Sequence, residues 1–205
     1  MAGNPVKEKK KYLTIYQGKI VQRADANTPN AVKRTNKNSE DVYELIFESF
    51  SAEIKDIYVE DTEWGEQCRV LLSDMGDEYV LNFPTDGSNF DSFAKKSPNV
   101  KPNVYYTIKP YDFTPEGGKR KVGVNLFYES DKKVETFFTK ENNGGMPDFP
   151  KDKDKRKIAK WSIDKTAFLV EVVKENGLRI KGKSVGVPPV GNAPEVEDDL
   201  SDLPF

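Results

Sequence analysis

Short runs of β-branched and aromatic residues, separated by turn residues, recur through the first 140 positions and constrain the fold more than any other feature. Such runs, a few residues long and bounded by Gly, Pro, Asn or Asp, are typical of strands in a small all-β domain. We predict strands over residues 12–22, 42–50, 52–60, 67–73, 78–83, 104–113, 121–128 and 134–138. The pattern predicts a mainly β chain built around a small barrel.

Turn residues and one helical segment complete this pattern. Glycine within residues 74–77 predicts a hairpin, and residues 114–118 predict another. Residues 88–95 predict a short helix with Ser88 as its N-cap and with Phe90 and Phe93 on one face.

Three further features of the sequence do not fit a pattern of short alternating strands. Gly18 lies inside the first predicted strand and predicts a bulge or bend of the kind that closed barrels need. Residues 24–40, which include Arg34, lack periodicity and predict a long basic loop. Residues 161–175 show helical spacing, and Asn176–Gly177 predicts the end of that helix.

Composition bounds the chemistry of the chain. The 205 residues suit one domain with appendages or two small domains, and a hydrophobic content of 36% with a charged content of 32% predicts a modest core under a highly charged surface. Histidine is absent, which removes the commonest general base and metal ligand. Cys68 lies in an alternating run and predicts a small core residue rather than a disulfide or a zinc site. No nucleotide-binding or metalloprotease motif occurs, so we expect no enzymatic activity, cofactor or metal.

The last eleven residues form an acidic tail. Residues 195–205 hold five of the 34 acidic side chains and no basic one, which leaves residues 1–194 with 32 basic and 29 acidic side chains. We expect a domain over residues 1–180, a Gly/Pro linker over 181–194 and a disordered tail over 195–205. The tail ends on Phe205, whose ring and free carboxylate suit capture by an apolar pocket with a basic rim.

Basic residues interleave with aromatic residues on the predicted strands. Aromatic rings stack on bases and cations contact phosphates, so this combination is typical of single-stranded nucleic-acid binding. The candidate stacking residues are Tyr12, Tyr16, Tyr105, Phe127 and Phe137, with Trp64 as a weaker candidate. The candidate phosphate contacts are Lys119, Arg120, Lys121 and Lys140. The alternative for any one ring is a place in the barrel core, although strand alternation predicts that neighbouring rings such as Tyr105 and Tyr106 face opposite ways.

The tail tip Asp202-Leu-Pro-Phe205, together with residues 122–128, 133–142 and 145–147, resembles the single-stranded-DNA-binding proteins of bacteria and tailed phages. The resemblance implies an elaborated OB-fold, a five-stranded Greek-key barrel with extra strands and one or two short helices. It also implies binding and protection of single-stranded DNA, without sequence preference, during phage DNA replication, recombination and repair.

The same resemblance implies a role for the tail. It would recruit replication and recombination proteins and compete with DNA for the groove, and a tethered polyanion has the effective concentration needed for that competition. The residues implied are Asp198, Asp199, Asp202, Leu203, Pro204 and Phe205. The implied location is the cytoplasm of an infected bacterial cell, and the oligomeric state stays open between a monomer and a dimer that binds DNA cooperatively.

Other readings of the sequence stay open. An RNA-binding protein of similar fold would share these patterns, because contacts to the 2′-hydroxyl are not visible in a sequence. The second alternative is a protein-interaction module that acts through its acidic tail. The third is a hydrolase, although the absence of histidine argues against it. No apolar segment approaches 18 residues and the N-terminus is basic, so we expect a soluble protein of a reducing compartment without a membrane span.

Overall fold

The protein is described by a computed structural model that covers residues 10–182 apart from residues 37, 130, 140 and 153. This part of the chain holds ten strands, two α-helices and a short 3₁₀ helix over Ser97–Asn99. The first seven strands are β1 (Lys11–Tyr16), β2 (Lys19–Ala24), β3 (Val32–Thr35), β4 (Asp41–Phe47), β5 (Phe50–Thr62), β6 (Gly65–Asp74) and β7 (Asp77–Pro84). The remaining elements are α1 (Ser88–Ala94), β8 (Tyr105–Phe113), β9 (Lys121–Tyr128), β10 (Lys132–Lys133) and α2 (Lys155–Ile180).

All ten strands belong to one mixed sheet in the order β10-β9-β8-β5-β6-β7-β1-β2-β4-β3. Neighbouring strands are antiparallel except β1 and β7, which run parallel. The sheet curls so that the β1–β2 turn meets the end of β8, where a methyl group added to Gly18 would lie 2.9 Å from the backbone nitrogen of Asp112. The expected mainly β, elaborated OB-like barrel architecture is confirmed.

The core lies inside this curled sheet. Strand alternation turns Leu13, Ile20, Leu72, Ile108 and Leu126 inward, each with no solvent exposure. Complete burial stabilises each such side chain by about 1.5–3 kcal/mol relative to its exposed state. Helix α1 adds Phe90 and Phe93, as predicted, although its N-cap is Gly87 and not Ser88. Cys68 is also a buried core residue, and burial raises the pKa of its thiol.

The predicted strand over 12–22 is wrong in one respect, because it is a hairpin of two strands. Gln17 and Gly18 have φ values of 48° and 72°, so both residues adopt the left-handed conformation of a tight two-residue turn. The predicted hairpin at 74–77 is confirmed, with a similar turn at Met75–Gly76.

Two further predictions of local structure need correction. The segment 24–40 is not only loop, because β3 lies within it and pairs with β4. The predicted strand over 134–138 is absent among the described residues, where strand pairing in this region stops at Lys133. Val134 donates one backbone hydrogen bond to Leu126 at 2.8 Å, and Val134 and Phe138 then turn into the core. Packing of these two side chains replaces further strand pairing.

The second helix is longer than predicted. Helix α2 begins after Asp154, whose side chain accepts hydrogen bonds from the backbone nitrogens of Arg156 and Lys157. It continues through Asn176–Gly177 to Ile180 instead of ending there. Its buried side is formed by Leu169, Val170, Val173, Asn176, Gly177 and Ile180, and Ile163 nearer its start is exposed.

Helix α2 covers an edge of the sheet. Strand β5 pairs with β8 only over residues 50–53, and beyond that point its outer edge faces α2. Lys181 forms an ion pair with Asp56 of this strand at 2.7 Å. Covering an unpaired strand edge with a helix prevents that edge from pairing with another chain. Within the described residues, neither helix combines the length and the apolar character needed to cross a bilayer.

Candidate nucleic-acid interface

Tyr12 and Tyr16, two of the residues predicted to stack on bases, lie on the outward face of β1. Both are about half exposed, at 54% and 51%. Strand register places the other outward side chains of β2, β3 and β4 beside them, since Tyr16 faces Lys19 and Val21 faces Ile46. We call this surface the tyrosine–arginine face, and it comprises Tyr12, Tyr16, Arg23, Val32, Arg34 and Ile46.

Arg34 is held in a fixed position on the tyrosine–arginine face. Its Nε and Nη2 donate to the two carboxylate oxygens of Glu44 at 2.9 and 2.7 Å. Its guanidinium carbon lies 5.5 Å from the centre of the Tyr16 ring, within the range of a cation–π contact. The hydrogen bond to Arg34 holds the pKa of the Glu44 carboxyl below its usual value despite its burial. This arrangement orders both the ring and the cation before any ligand arrives.

A second outward surface runs along β8 and β9. Tyr105 is 52% exposed and Phe113 is 51% exposed, and Phe127 is partly buried. Register places Phe113 opposite Lys121 and Lys109 opposite Asn125, so all of these side chains point to the same side of the sheet. We call this surface the β8–β9 face, and it comprises Tyr105, Lys109, Phe113, Lys121 and Phe127.

The cations of the β8–β9 face differ from those of the tyrosine–arginine face. Among the residues that the structure describes, no carboxylate lies within ion-pair distance of Lys109, Lys119 or Lys121. Arg120, by contrast, donates to Asp112 from its Nε at 2.6 Å. The lysines are therefore available to a phosphate, and Arg120 would have to exchange partners to reach one.

The two faces meet where the sheet curls on itself. Gly18 abuts the backbone of Tyr111 and Asp112. Tyr16 and Lys19 flank the turn that contains Gly18, and Phe113 directly follows Asp112. Tyr16 and Phe113 thus lie within two residues of this junction along the chain, one on each side of it.

The remaining predicted site residues lie elsewhere or outside the described part. Trp64 is 82% exposed at the tip of the β5–β6 hairpin, near Glu60, Glu63 and Glu66 in sequence and away from both faces. Phe137 is partly buried, with its ring centre 5.0 Å from that of Phe138. Lys140 lies outside the described residues, and so do Asp198, Asp199, Asp202, Leu203, Pro204 and Phe205.

The structure adds candidates that sequence reasoning did not single out. Arg23 and Phe113 belong to the two faces, and Arg34 is on a strand rather than on a loop. The run Val32-Lys-Arg-Thr35 begins and ends with a β-branched residue, which was the one sequence signal for β3. The partnership of Arg34 with Tyr16 had no sequence signal, because it depends on the fold of four strands.

These surfaces can bind a flexible polyanion that carries flat rings. Exposed aromatic rings offer apolar faces for stacking, and lysine and arginine offer donors to phosphate oxygens. Among the described residues, no cluster of three or more His, Cys, Asp or Glu side chains could hold a metal ion. Comparison of the chain with protein-family models, with curated protein sequences and with solved structures gives no match.

Proposed function

We propose that the protein binds single-stranded DNA without sequence preference, along the tyrosine–arginine face and the β8–β9 face. One observation carries the proposal: four rings that are at least half exposed, those of Tyr12, Tyr16, Tyr105 and Phe113, lie on outward strand faces among arginines and unpaired lysines. A single exposed ring is ordinary on a protein surface, but several exposed rings grouped on outward strand faces are typical of an interaction site.

The chemistry favours a single strand over a duplex. In a duplex the faces of the bases are stacked on each other, whereas in a single strand each base can rest on a protein ring. Stacking contributes about 1–3 kcal/mol per base and depends little on which base it is. The outward rings lie on strands of the described part of the chain, whereas duplex sequence is usually read by a helix in the major groove.

The biological role follows from the resemblance in the sequence. Under this proposal the protein protects single strands during phage DNA replication and recombination, in the cytoplasm of an infected bacterial cell. The acidic residues Asp198, Asp199 and Asp202 and the tip Leu203–Phe205 would recruit replication proteins and compete with DNA.

The test is a fluorescence-anisotropy titration of a labelled oligo-dT with the full chain. Tyr12→Ala and Tyr16→Ala are each expected to weaken binding about tenfold, the effect of losing one stacked base. Tyr12→Phe and Tyr16→Phe keep the ring and are expected to bind within about twofold of the parent. Ile163→Ala changes a side chain of α2 that is 70% exposed and belongs to neither face, and it serves as the control.

Three outcomes decide the proposal. If the alanine variants bind as tightly as the phenylalanine variants, the rings do not stack on bases. If the full chain does not bind oligo-dT even at low salt, the nucleic-acid function is wrong and a protein-interaction role remains. A matched oligo-U titration separates a DNA-binding from an RNA-binding protein, since only RNA carries the 2′-hydroxyl.

A further inference from the structure

A polar cleft of about 520 Å³ lies between α1, α2 and the last residues of β8. Its lining includes Ser92, Lys95 and Lys96 at the end of α1, Tyr111 of β8, and Lys165 of α2. The cleft is separate from the tyrosine–arginine face, and it borders the β8–β9 face at Tyr111. Three lysines and two aspartates, Asp86 and Asp91, are among the sixteen residues that line the cleft.

Lys96 is the most informative residue of this cleft. It is only 6% exposed, and its Nζ donates to the backbone oxygen of Ser92 at 3.1 Å and to the Ser92 hydroxyl at 2.9 Å. No carboxylate among the described residues lies within ion-pair distance of this ammonium group. A buried cation without a counter-ion is costly, because neutral hydrogen bonds replace only part of its hydration.

Asp91, a carboxylate that lines the cleft, already has partners. Asp91 forms ion pairs with Lys95 at 2.8 Å and with Lys165 at 2.5 Å. These three groups together carry one net positive charge, and Lys96 adds another. With Asp86, which also lines the cleft, the five charged lining groups carry a net charge of +1.

Gly123 of β9 leaves room for the hydroxyl groups of Tyr111 and Ser92, two residues that line the cleft together with Lys96. A methyl group at this position would lie 2.7 Å from the ring carbon Cζ of Tyr111 and 2.8 Å from the Ser92 hydroxyl oxygen. Any larger residue would push these groups apart. The Ser92 hydroxyl accepts a hydrogen bond from Lys96 and also bonds the backbone of Val124, so it orients the ammonium group. The Tyr111 hydroxyl lies against Gly123 at the wall of the cleft.

We propose that this cleft binds a phosphate-type oxyanion, held by the Lys96 ammonium group and the Tyr111 hydroxyl. The remaining N–H of Lys96 and the O–H of Tyr111 are donors of the kind that phosphate oxygens accept, and a charged donor strengthens the hydrogen bond. The inference does not depend on the proposed function, because a free phosphate would suffice. The ring of Tyr111 lies 6.0 Å from that of Phe113 on the β8–β9 face, so a phosphate of a bound strand is the other source.

The test is a titration of the full chain with inorganic phosphate, followed by calorimetry and by amide NMR shifts around residues 92–96 and 123–124. We expect saturable binding that Lys96→Met weakens at least about tenfold, the usual effect of losing a charged hydrogen bond. Tyr111→Phe, which removes only the hydroxyl, is expected to weaken it about threefold to tenfold. Lys160→Met alters an exposed lysine of α2 outside the cleft and is expected to change nothing.

Oligo-dT titrations of the same variants identify the source of the phosphate. If Lys96→Met weakens the binding of both phosphate and oligo-dT, the cleft takes a phosphate of the strand. If it weakens the binding of phosphate alone, the cleft takes a free anion. Either result supports the site. The proposal is overturned if the parent chain shows no saturable phosphate binding in the millimolar range, or if Lys96→Met and Tyr111→Phe bind phosphate as the parent does. Should Lys96→Met fail to fold, Tyr111→Phe alone decides between these results.

Discussion

The backbone of Gly177 in α2 lies directly against the carbonyl group of Ile57 in β5. A methyl group added to Gly177 would lie 3.0 Å from the Ile57 carbonyl carbon and closer still to its oxygen. This approach lets α2 pack along the edge of β5, where Lys181 also reaches Asp56 at 2.7 Å. Glycine here is a packing residue inside a helix and not a helix stop.

Gly177→Ala should therefore destabilise the protein. In an exposed helix the same change would stabilise by about 1 kcal/mol, because glycine is the poorer helix former. Overlap with the β5 backbone should outweigh that gain and lower the free energy of unfolding by about 3 kcal/mol. Denaturant unfolding of the two proteins measures the difference.

The matched control for this prediction is the opposite change at an exposed site. Ala159→Gly in the first turns of α2 should cost about 1 kcal/mol from helix propensity alone. If Gly177→Ala instead raised the free energy of unfolding, the close packing of α2 on β5 would be wrong.

Glu44→Gln should separate the stability of the tyrosine–arginine face from its affinity for DNA. The variant loses a charged partner of Arg34, so we expect it to be about 1 kcal/mol less stable at pH 7, a modest value because Arg34 is partly exposed. Its affinity for oligo-dT at low salt should rise, because one negative charge leaves the binding surface.

The pH dependence of this variant has a defined sign. The hydrogen bond to Arg34 holds the pKa of Glu44 below its ordinary value of 4.5, so the unfolded chain takes up the proton first as pH falls. The stabilisation by Glu44 is complete above about pH 4.5 and is lost as pH falls through the lower pKa of the folded state. The stability difference between Glu44→Gln and the parent should shrink over that window. A difference that stayed constant down to pH 2 would contradict the ion pair.

Lys121→Met should change the salt dependence of DNA binding. Each phosphate contact of a single strand contributes about 0.7 to the slope of log affinity against log salt. Loss of Lys121 should reduce that slope by about this amount and leave sequence tolerance unchanged. Anisotropy titrations at several salt concentrations measure the slope, with Lys160→Met as the control. An unchanged slope would place the phosphates away from the β8–β9 face.

Sulfate binding in the cleft should weaken as pH rises above about 8. Burial, and then the charges of Lys133 and Lys95, lower the pKa of Lys96 from 10.5 to about 8. Sulfate keeps its charge over this range, so a loss of affinity reports the ammonium group and not the anion. The charged or titratable groups that face Lys96 are Asp86, Asp91, Lys95, Tyr111, Lys133, Glu135 and Lys165.

The lowered pKa of Lys96 also makes the stability of the fold depend on pH. Between about pH 8 and 10.5 the unfolded chain binds the Lys96 proton more strongly than the folded chain, so this residue makes stability rise with pH in that window. Bound sulfate favours the charged form and should cancel part of that rise. Calorimetric titrations with sulfate from pH 7 to 10, on the parent and on Lys96→Met, measure how the affinity for sulfate depends on pH. If that dependence were equal for the two proteins, Lys96 would be excluded as the titrating group.

Local sequence determined most of the strands of this protein. Alternating runs such as Cys68–Leu72 and Val80–Phe83 have one apolar side, and only a strand buries that side. The turn at Met75–Gly76 and the buried pair Phe90 and Phe93 were predictable for the same reason, since turn chemistry and helical spacing act over a few residues.

Tertiary structure decided what local chemistry left open. Residues 134–138 have strand composition, but their side chains gain more by entering the core than by pairing further with β9. The sequence Asn176–Gly177 has the chemistry of a helix end, yet α2 continues because its glycine fits against Ile57. Propensities of about 1 kcal/mol yield to packing energies that are larger.

The candidate sites divide in the same way. The sequence alone determined that rings and cations share the strands, because alternation exposes one of two neighbouring residues such as Tyr105 and Tyr106. The fold decided three features of the sites within the described part of the chain: the contact of Arg34 with Tyr16, the lack of an ion-pair partner for Lys121, and the burial of Lys96 without a counter-ion. Each feature depends on which distant strand or helix lies beside the residue. Charge is readable from a sequence, whereas the pairing and burial of a charge are properties of the folded chain.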